Sequence, residues 1–184
     1  LLTVGNLVPR KGQDKVIEAM PEILRTNPRA HYVIVGIGDY IDYLKKLAES
    51  LSLEDHVQFF TNITDQELPY FYHACDAFIM PSREIKDSHN KSTDMEGFGI
   101  VYLEANLFGK PVIGGNSGGV PEAVADGITG LLVDPTSKDE IAHAASKLLS
   151  DIILAEKLGT QGRERAIKHF QWDDEMDKIT KLLT

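Results

Sequence analysis

The chain has 184 residues, 42% of them apolar, with 15 glycines, 8 prolines and a single cysteine, Cys75. That is the make-up of one ordinary globular domain over residues 1–184, and it excludes a disordered or fibrous chain. A net charge of −9 has the wrong sign for a chain that binds by neutralising nucleic-acid phosphates, so nucleic acid drops out as a partner. No window approaches the roughly 18 consecutive apolar residues of a membrane span, and one thiol cannot form an internal bridge, which fits a reducing, cytoplasmic compartment.

In chain order, Leu1-Leu2-Thr3-Val4-Gly5 reads as a buried strand running into a turn. Because it opens the chain, we expect a domain excised from a longer protein. Val16, Ile17, Met20, Ile23 and Leu24 follow helical spacing, and residues 31–35 are a short β-branched run stopped by Gly36. Ile41, Leu44, Leu47, Ala48 and Leu51 share a second helical face, followed by a strand at 57–60. Thr64-x-x-Glu67 resembles a capping box, with Pro69 costing the new helix an early hydrogen bond. Further apolar runs at 77–80, 112–114 and 131–133 are strands. Ile100, Val101, Leu107 and Phe108 form the inward face of a helix, and Ser137-x-x-Glu140 opens another. Helical periodicity then continues through Leu183. Residues 83–95 are a long, charged, glycine-free irregular stretch, of the kind that is usually functional or disordered. Short apolar runs alternating with helices predict an α/β, Rossmann-like fold, with a parallel sheet, helices on both faces and a helical C-terminal tail.

Ligands of such sheets sit beyond the carboxyl ends of the strands, which directs attention to four glycine-bearing turns. The segment from Gly5 to Gly12 places Arg10 and Lys11 beside a helix start, and a lysine there suits a phosphate. Gly36-Ile37-Gly38 begins like a dinucleotide fingerprint, but Ile41 stands where the third glycine belongs, so a plain turn suffices. Glu96-Gly97-Phe98-Gly99 precedes a helix whose first amides, Ile100 and Val101 among them, make an anion site. Glu96 and Glu104 add carboxylates that accept only, hence partners for hydroxyls. Phosphate at the amides and hydroxyls at the carboxylates together describe a sugar nucleotide. Gly115-Asn116-Ser117-Gly118-Gly119 matches the G-x-S-x-G nucleophile elbow, with Asp134 and His143 or His169 in hydrolase order, but no oxyanion loop precedes it. No histidine or aspartate spacing supports a metal site.

The Gly5–Gly12 turn, Phe78-Ile79-Met80-Pro81-Ser82, the two glutamates around Gly97-Phe98-Gly99, Gly118-Gly119-Val120-Pro121-Glu122 and Asp126-Gly127-Ile128-Thr129-Gly130 occur in an order that resembles glycosyltransferase family 4. The resemblance covers nearly the whole chain. It implies one half of a GT-B fold, the donor-binding domain, with the N-terminal acceptor domain outside this chain. It also implies a retaining hexosyltransferase that moves a sugar from a GDP- or UDP-sugar to an acceptor hydroxyl, with no metal and no cofactor. Glu96, Gly97, Phe98 and Gly99 would hold the donor sugar, and Glu104 the ribose. Lys11, Asn6, Arg10 and the Ile100 and Val101 amides would hold the diphosphate, and Phe60, Thr61, Asn62 and Ile63 the base. Glu96 and Lys11 would be the catalytic pair. The segments around Lys11 and Glu104 are most similar to bacterial GDP-mannose mannosyltransferases, which implies a sugar or lipid-linked acceptor and a protein in the cytoplasm or peripheral to the inner face of the membrane. One departure is Asn6, where the family usually carries arginine. A sugar-nucleotide-binding module without activity, a nucleotide-sugar epimerase and a serine hydrolase using Ser117 are the alternatives.

Overall fold

Strand β1 (Leu2–Val4) is buried at every position, the mark of a strand covered on both faces rather than one. It lies near the centre of a six-stranded, all-parallel sheet in a computed structural model that describes residues 1–169. The other strands are β2 (Tyr32–Val35), β3 (Val57–Phe60), β4 (Phe78–Met80), β7 (Val112–Gly115) and β8 (Gly130–Val133), in the spatial order β3-β2-β1-β4-β7-β8. Between β4 and β7 comes a small hairpin of β5 (Ile85–Lys86) and β6 (Ser92–Asp94).

Alternate strand residues feed two apolar layers, as the pleat requires. On one face, Ile34, Ile79 and Ile113 meet helices α1 (Gln13–Thr26), α2 (Ile41–Ser50) and α6 (Lys138–Ser150). On the other, Leu2, Val4, Phe78, Met80 and Val112 meet α3 (Leu68–Ala74), α4 (Ile100–Leu107) and α5 (Val120–Ala123). Helix α7 (Ile152–His169) packs against α4 and α6. The expected helix thus runs to His169, and its continuation to Leu183 lies outside the described residues.

Three expectations are corrected. The inward face of α4 is Tyr102, Leu103, Ala105 and Asn106, whereas Ile100 and Leu107 are 59% and 47% exposed, Phe108 is 39% exposed and Val101 is half-buried. The helix is apolar nearly all round, so periodicity could not select its face. The polar members turn inward where their donors find acceptors: Tyr102 donates its hydroxyl to the Met80 carbonyl, and the Asn106 amide nitrogen donates to the carbonyls of Lys110 and Thr129. Residues 83–95 are not irregular throughout, since β5 and β6 pair within them. Asp87 accepts from the amides of His89 and Lys91, and Asn90 takes φ +62°, an Asx turn doing what glycine does elsewhere. Pro69, finally, costs nothing, because α3 begins at Leu68 and the proline occupies the first turn, where its missing N–H has no intrahelical acceptor. The Glu67 carboxylate accepts from the Thr64 amide and hydroxyl, so the glutamate's half of the predicted box forms.

Candidate functional site: a cation pair at the topological switch point

From β1 the chain runs outward through β2 and β3, then returns to place β4 on the other side of β1. The connections leaving β1 and β4 therefore lead to helices on opposite faces of the sheet, α1 and α4, and the carboxyl end of the strands at such a switch point is where open α/β sheets bind ligands. The first loop closes with a 3-10 turn, Pro9–Lys11, and Gly12 at φ +76°. A Cβ on Gly12 would overlap the Pro81 carbonyl, so only glycine lets the two loops touch. They are tied further by the Arg83 amide donating to the Arg10 carbonyl at 2.8 Å. A bidentate ion pair from the Arg83 guanidinium to Asp14, 2.8 Å at both bonds, completes the link.

That clamp aims Arg10 and Lys11 at one carboxylate. Lys11 Nζ lies 2.5 Å and Arg10 Nη1 2.7 Å from Glu96 Oε2, and the Ser82 hydroxyl donates to the same oxygen at 3.4 Å. Arg10 Nε also pairs with Asp94 Oδ1 at 3.0 Å. Lys11 is largely buried, and so is the Glu96 side chain. Asn6 is exposed, and its backbone carbonyl accepts from Gln13. The second cation beside Lys11 is thus Arg10, four residues after Asn6.

Glu96 is held from behind by the glycines of the Ser117 turn. The Gly119 amide donates to the Glu96 carbonyl at 2.9 Å, and a Cβ on Gly118 or Gly119 would overlap the carbonyls of Glu96 and Gly97 respectively. The G-x-S-x-G pattern is therefore a packing requirement. Ser117 Oγ accepts from the Glu84 amide at 3.0 Å, while His143 sits exposed on α6 and Asp134 accepts from Thr136. Among the described residues no histidine bonds to Ser117, so this geometry gives the hydrolase alternative no support. The Gly36 and Gly38 turn has an equally structural cause. Its backbone lies against the β1 loop, with the Leu7 amide donating to Ile37 and that of Tyr40 to Leu7, and a Cβ on either glycine would overlap a carbonyl of Gly5 or Leu7.

Next to Glu96, α4 starts at Ile100 with Gly99 as its N-cap and no side-chain cap. Its first-turn amides, Ile100 and Val101 among them, have no intrahelical acceptor. Gly99 is at φ +84°, and any Cβ there would strike the Tyr102 ring. One turn further on, Glu104 accepts from the Tyr72 hydroxyl at 2.6 Å. Tyr72 is buried and stacked on Phe108, and burial, followed by the Glu104 contact, pushes its ionisation far above the usual range. It is a fixed donor that orients Glu104. Of the candidate base residues, Phe60 ends β3 and meets Phe71 edge-on at 5.0 Å, Ile63 joins the same apolar layer, and Thr61 and Asn62 are exposed. All four lie at the carboxyl edge of the sheet, the edge that carries Lys11.

Sequence reasoning missed Asp14, Tyr72, Ser82 as a contact of Glu96, and Asp94. Nothing in the spacing links position 14 to 83 or 72 to 104. A cavity of about 1000 Å³ lined by Leu1, Cys75, Lys110 and Ile152 lies at the opposite end of the strands. Arg10, Lys11, Asp94 and Glu96 converge at the carboxyl edge of the sheet instead. Burial pushes the Cys75 thiol up to about 11. Among the described residues no three His, Cys, Asp or Glu side chains group as metal ligands would, and no helix is long and apolar enough to cross a membrane.

This chain is similar to known glycosyltransferases in sequence and in fold. A GDP-mannose-dependent alpha-(1-6)-phosphatidylinositol monomannoside mannosyltransferase of Mycolicibacterium smegmatis is 41% identical over 184 residues, all of this chain and 47% of that protein. A GDP-mannose-dependent monoacylated alpha-(1-6)-phosphatidylinositol monomannoside mannosyltransferase of Corynebacterium glutamicum is 38% identical over 97% of this chain and 45% of its own length. The chain thus spans a little under half of these relatives. Anabaena Alr3699/HepE, solved with UDP and glucose, superposes with a TM-score of 0.84 at 26% identity over 99% of this chain and 47% of that one. The C-terminal domain of the Francisella tularensis group 1 glycosyl transferase LpcC superposes with a TM-score of 0.79 at 26% identity, over 93% of this chain and 86% of that one. The structural neighbours are GT-B glycosyltransferases. Since residues 1–165 match the family described as glycosyl transferases group 1, this chain belongs to that family.

Proposed function

We propose that this chain is the donor-binding domain of a retaining, metal-independent hexosyltransferase. It takes mannose from GDP-mannose and passes it to a hydroxyl of a lipid-linked acceptor. The observation that carries the reading is the convergence of Lys11 and Arg10 beside the uncapped start of α4. Fixed cations and a positive helix end are what a departing nucleoside diphosphate needs, and stabilising that charge is the main catalytic contribution. Lys11 and the Ile100 and Val101 amides hold the diphosphate, with Asn6 at its edge. Glu96 and the Gly97-Phe98-Gly99 backbone hold the sugar, Glu104 the ribose hydroxyls, and residues 60–63 the base. GDP-mannose is favoured over UDP-sugars because the mycobacterial and corynebacterial relatives named above depend on it, although Anabaena Alr3699/HepE was solved with UDP. The acceptor is held mainly by an N-terminal domain of the full-length protein, which acts in the cytoplasm at the inner face of the membrane.

Titration of the full-length protein with GDP, UDP, ADP and their sugars tests the donor, and transfer of labelled mannose to a phosphatidylinositol mannoside tests the reaction. Tightest binding of GDP-mannose with transfer supports the reading. Binding without turnover would support the inactive module. Sugar interconversion with no acceptor present would identify an epimerase.

A further inference from the structure

Lys11 cannot be fully engaged by a carboxylate and fully available to a phosphate at once. In the structure it is engaged: its ammonium sits 2.5 Å from Glu96 Oε2, with both side chains 11% exposed. Arg10 reaches the same oxygen at 2.7 Å and is anchored on its far side by Asp94 at 3.0 Å. The two cations differ in what they can do next. Lysine is a point charge on a flexible stem with three rotatable donors, whereas the guanidinium is a planar fork, here hydrogen-bonded to Glu96 with the Asp94 carboxylate in ion-pair range.

We infer that Glu96 is a built-in competitor of the diphosphate for Lys11, and that Arg10 is the positioning residue that keeps Glu96 in place when Lys11 leaves it. This rests on the diphosphate reading above. As the diphosphate enters beside α4, Lys11 exchanges the carboxylate for a phosphate oxygen. Arg10 stays on Glu96, offsets its negative charge next to an anionic ligand and holds it where sugar hydroxyls can donate to it. Arg10 and Lys11 are balanced by Asp94 and Glu96, so a ligand draws Lys11 from Glu96 by bringing its own negative charge. Arg10 acts through Glu96 and need not touch the phosphates.

The test is calorimetric titration of GDP and GDP-mannose into the full-length protein and its Glu96→Gln, Glu96→Asp, Arg10→Gln and Arg10→Gln/Glu96→Gln variants, with melting curves to confirm folding. A charge-assisted hydrogen bond to Lys11 is removed in Glu96→Gln, so GDP should bind about tenfold more tightly while GDP-mannose gains less. Glu96→Asp keeps the charge and the fold and should tighten GDP by a smaller factor. Arg10→Gln should weaken GDP in the wild-type background and have almost no effect when Glu96 is already Gln. Equal loss from Arg10→Gln in both backgrounds would mean that Arg10 binds phosphate directly, and unchanged or weaker GDP binding in both Glu96 variants would mean that no competition exists. Either result overturns the inference while leaving the donor reading intact. Wild-type protein that binds none of the nucleoside diphosphates would overturn the donor reading, and this inference with it.

Discussion

Asp14 and Arg83 stand 69 positions apart in the chain and meet in a bidentate ion pair at the base of the Arg10-Lys11 turn, with side chains 6% and 14% exposed. Tyr40 approaches the same carboxylate at 3.5 Å. Breaking a buried pair by deleting one partner leaves the other charge uncompensated, at a cost of about 3–5 kcal/mol. Asp14→Ala should therefore lower unfolding stability by about that much, and Asp14→Ala/Arg83→Met should regain much of it. Urea denaturation checks this. A loss below about 1 kcal/mol for Asp14→Ala would show that water reaches the pair and screens it.

Lys11 serves the distal phosphate in the donor reading, so Lys11→Ala should weaken GDP far more than GMP. With a charge-assisted hydrogen bond worth about 1.5–3 kcal/mol, the difference should be about ten- to a hundredfold. Titration of both nucleotides measures it, and equal losses would remove Lys11 from the diphosphate.

Tyr72 gives the two glutamates separate fates. Tyr72→Phe removes the donor that orients Glu104, and Glu104→Ala removes the carboxylate itself. Both should weaken GMP, GDP and GDP-mannose alike, because the ribose is common to all three, and the milder Tyr72→Phe should cost about tenfold or less. A loss confined to GDP-mannose would place Glu104 at the sugar.

Gly119→Ala tests the backbone approach behind Glu96. Its methyl would overlap the Gly97 carbonyl, and overpacking of this kind costs about 1–3 kcal/mol. The expected signature is a lowered melting temperature together with weaker GDP-mannose binding, since the strain is relieved by moving Gly97. Unchanged melting would show that the Gly97 loop yields freely.

Glu67 carries the pH dependence of the α3 start. The bonds from the Thr64 amide and hydroxyl hold its carboxyl below the ordinary 4.5. A value lower in the folded than in the unfolded chain means a contribution fully present above 4.5 and lost as pH falls through the folded value. Carboxyl titration by NMR should give a depressed Glu67 midpoint that returns to normal in Thr64→Pro, a residue with neither donor. An ordinary midpoint in the wild type would mean that the two bonds do not persist in solution.

Elements, fold class and the neighbourhood of the site followed from the sequence, because each depends on local signals. Short apolar runs between helical periods made the strands, the Ser137 cap opened α6 as its spacing required, and glycines before helices marked the edge that carries the candidate site. The face of α4 did not follow, because an almost uniformly apolar helix has no preferred side until Tyr102 and Asn106 find acceptors on other elements. The hairpin of β5 and β6 was hidden because an aspartate and an asparagine, not a glycine, make its turn. At the site, sequence order could nominate Lys11, Glu96 and Glu104 one by one. Only the strand order, which returns the chain from β3 to the far side of β1, could decide that Arg10 shares an oxygen of Glu96 with Lys11, that Asp14 locks to Arg83 and that Tyr72 holds Glu104. Those pairings join residues 32 to 86 positions apart, and no local rule carries information over such separations.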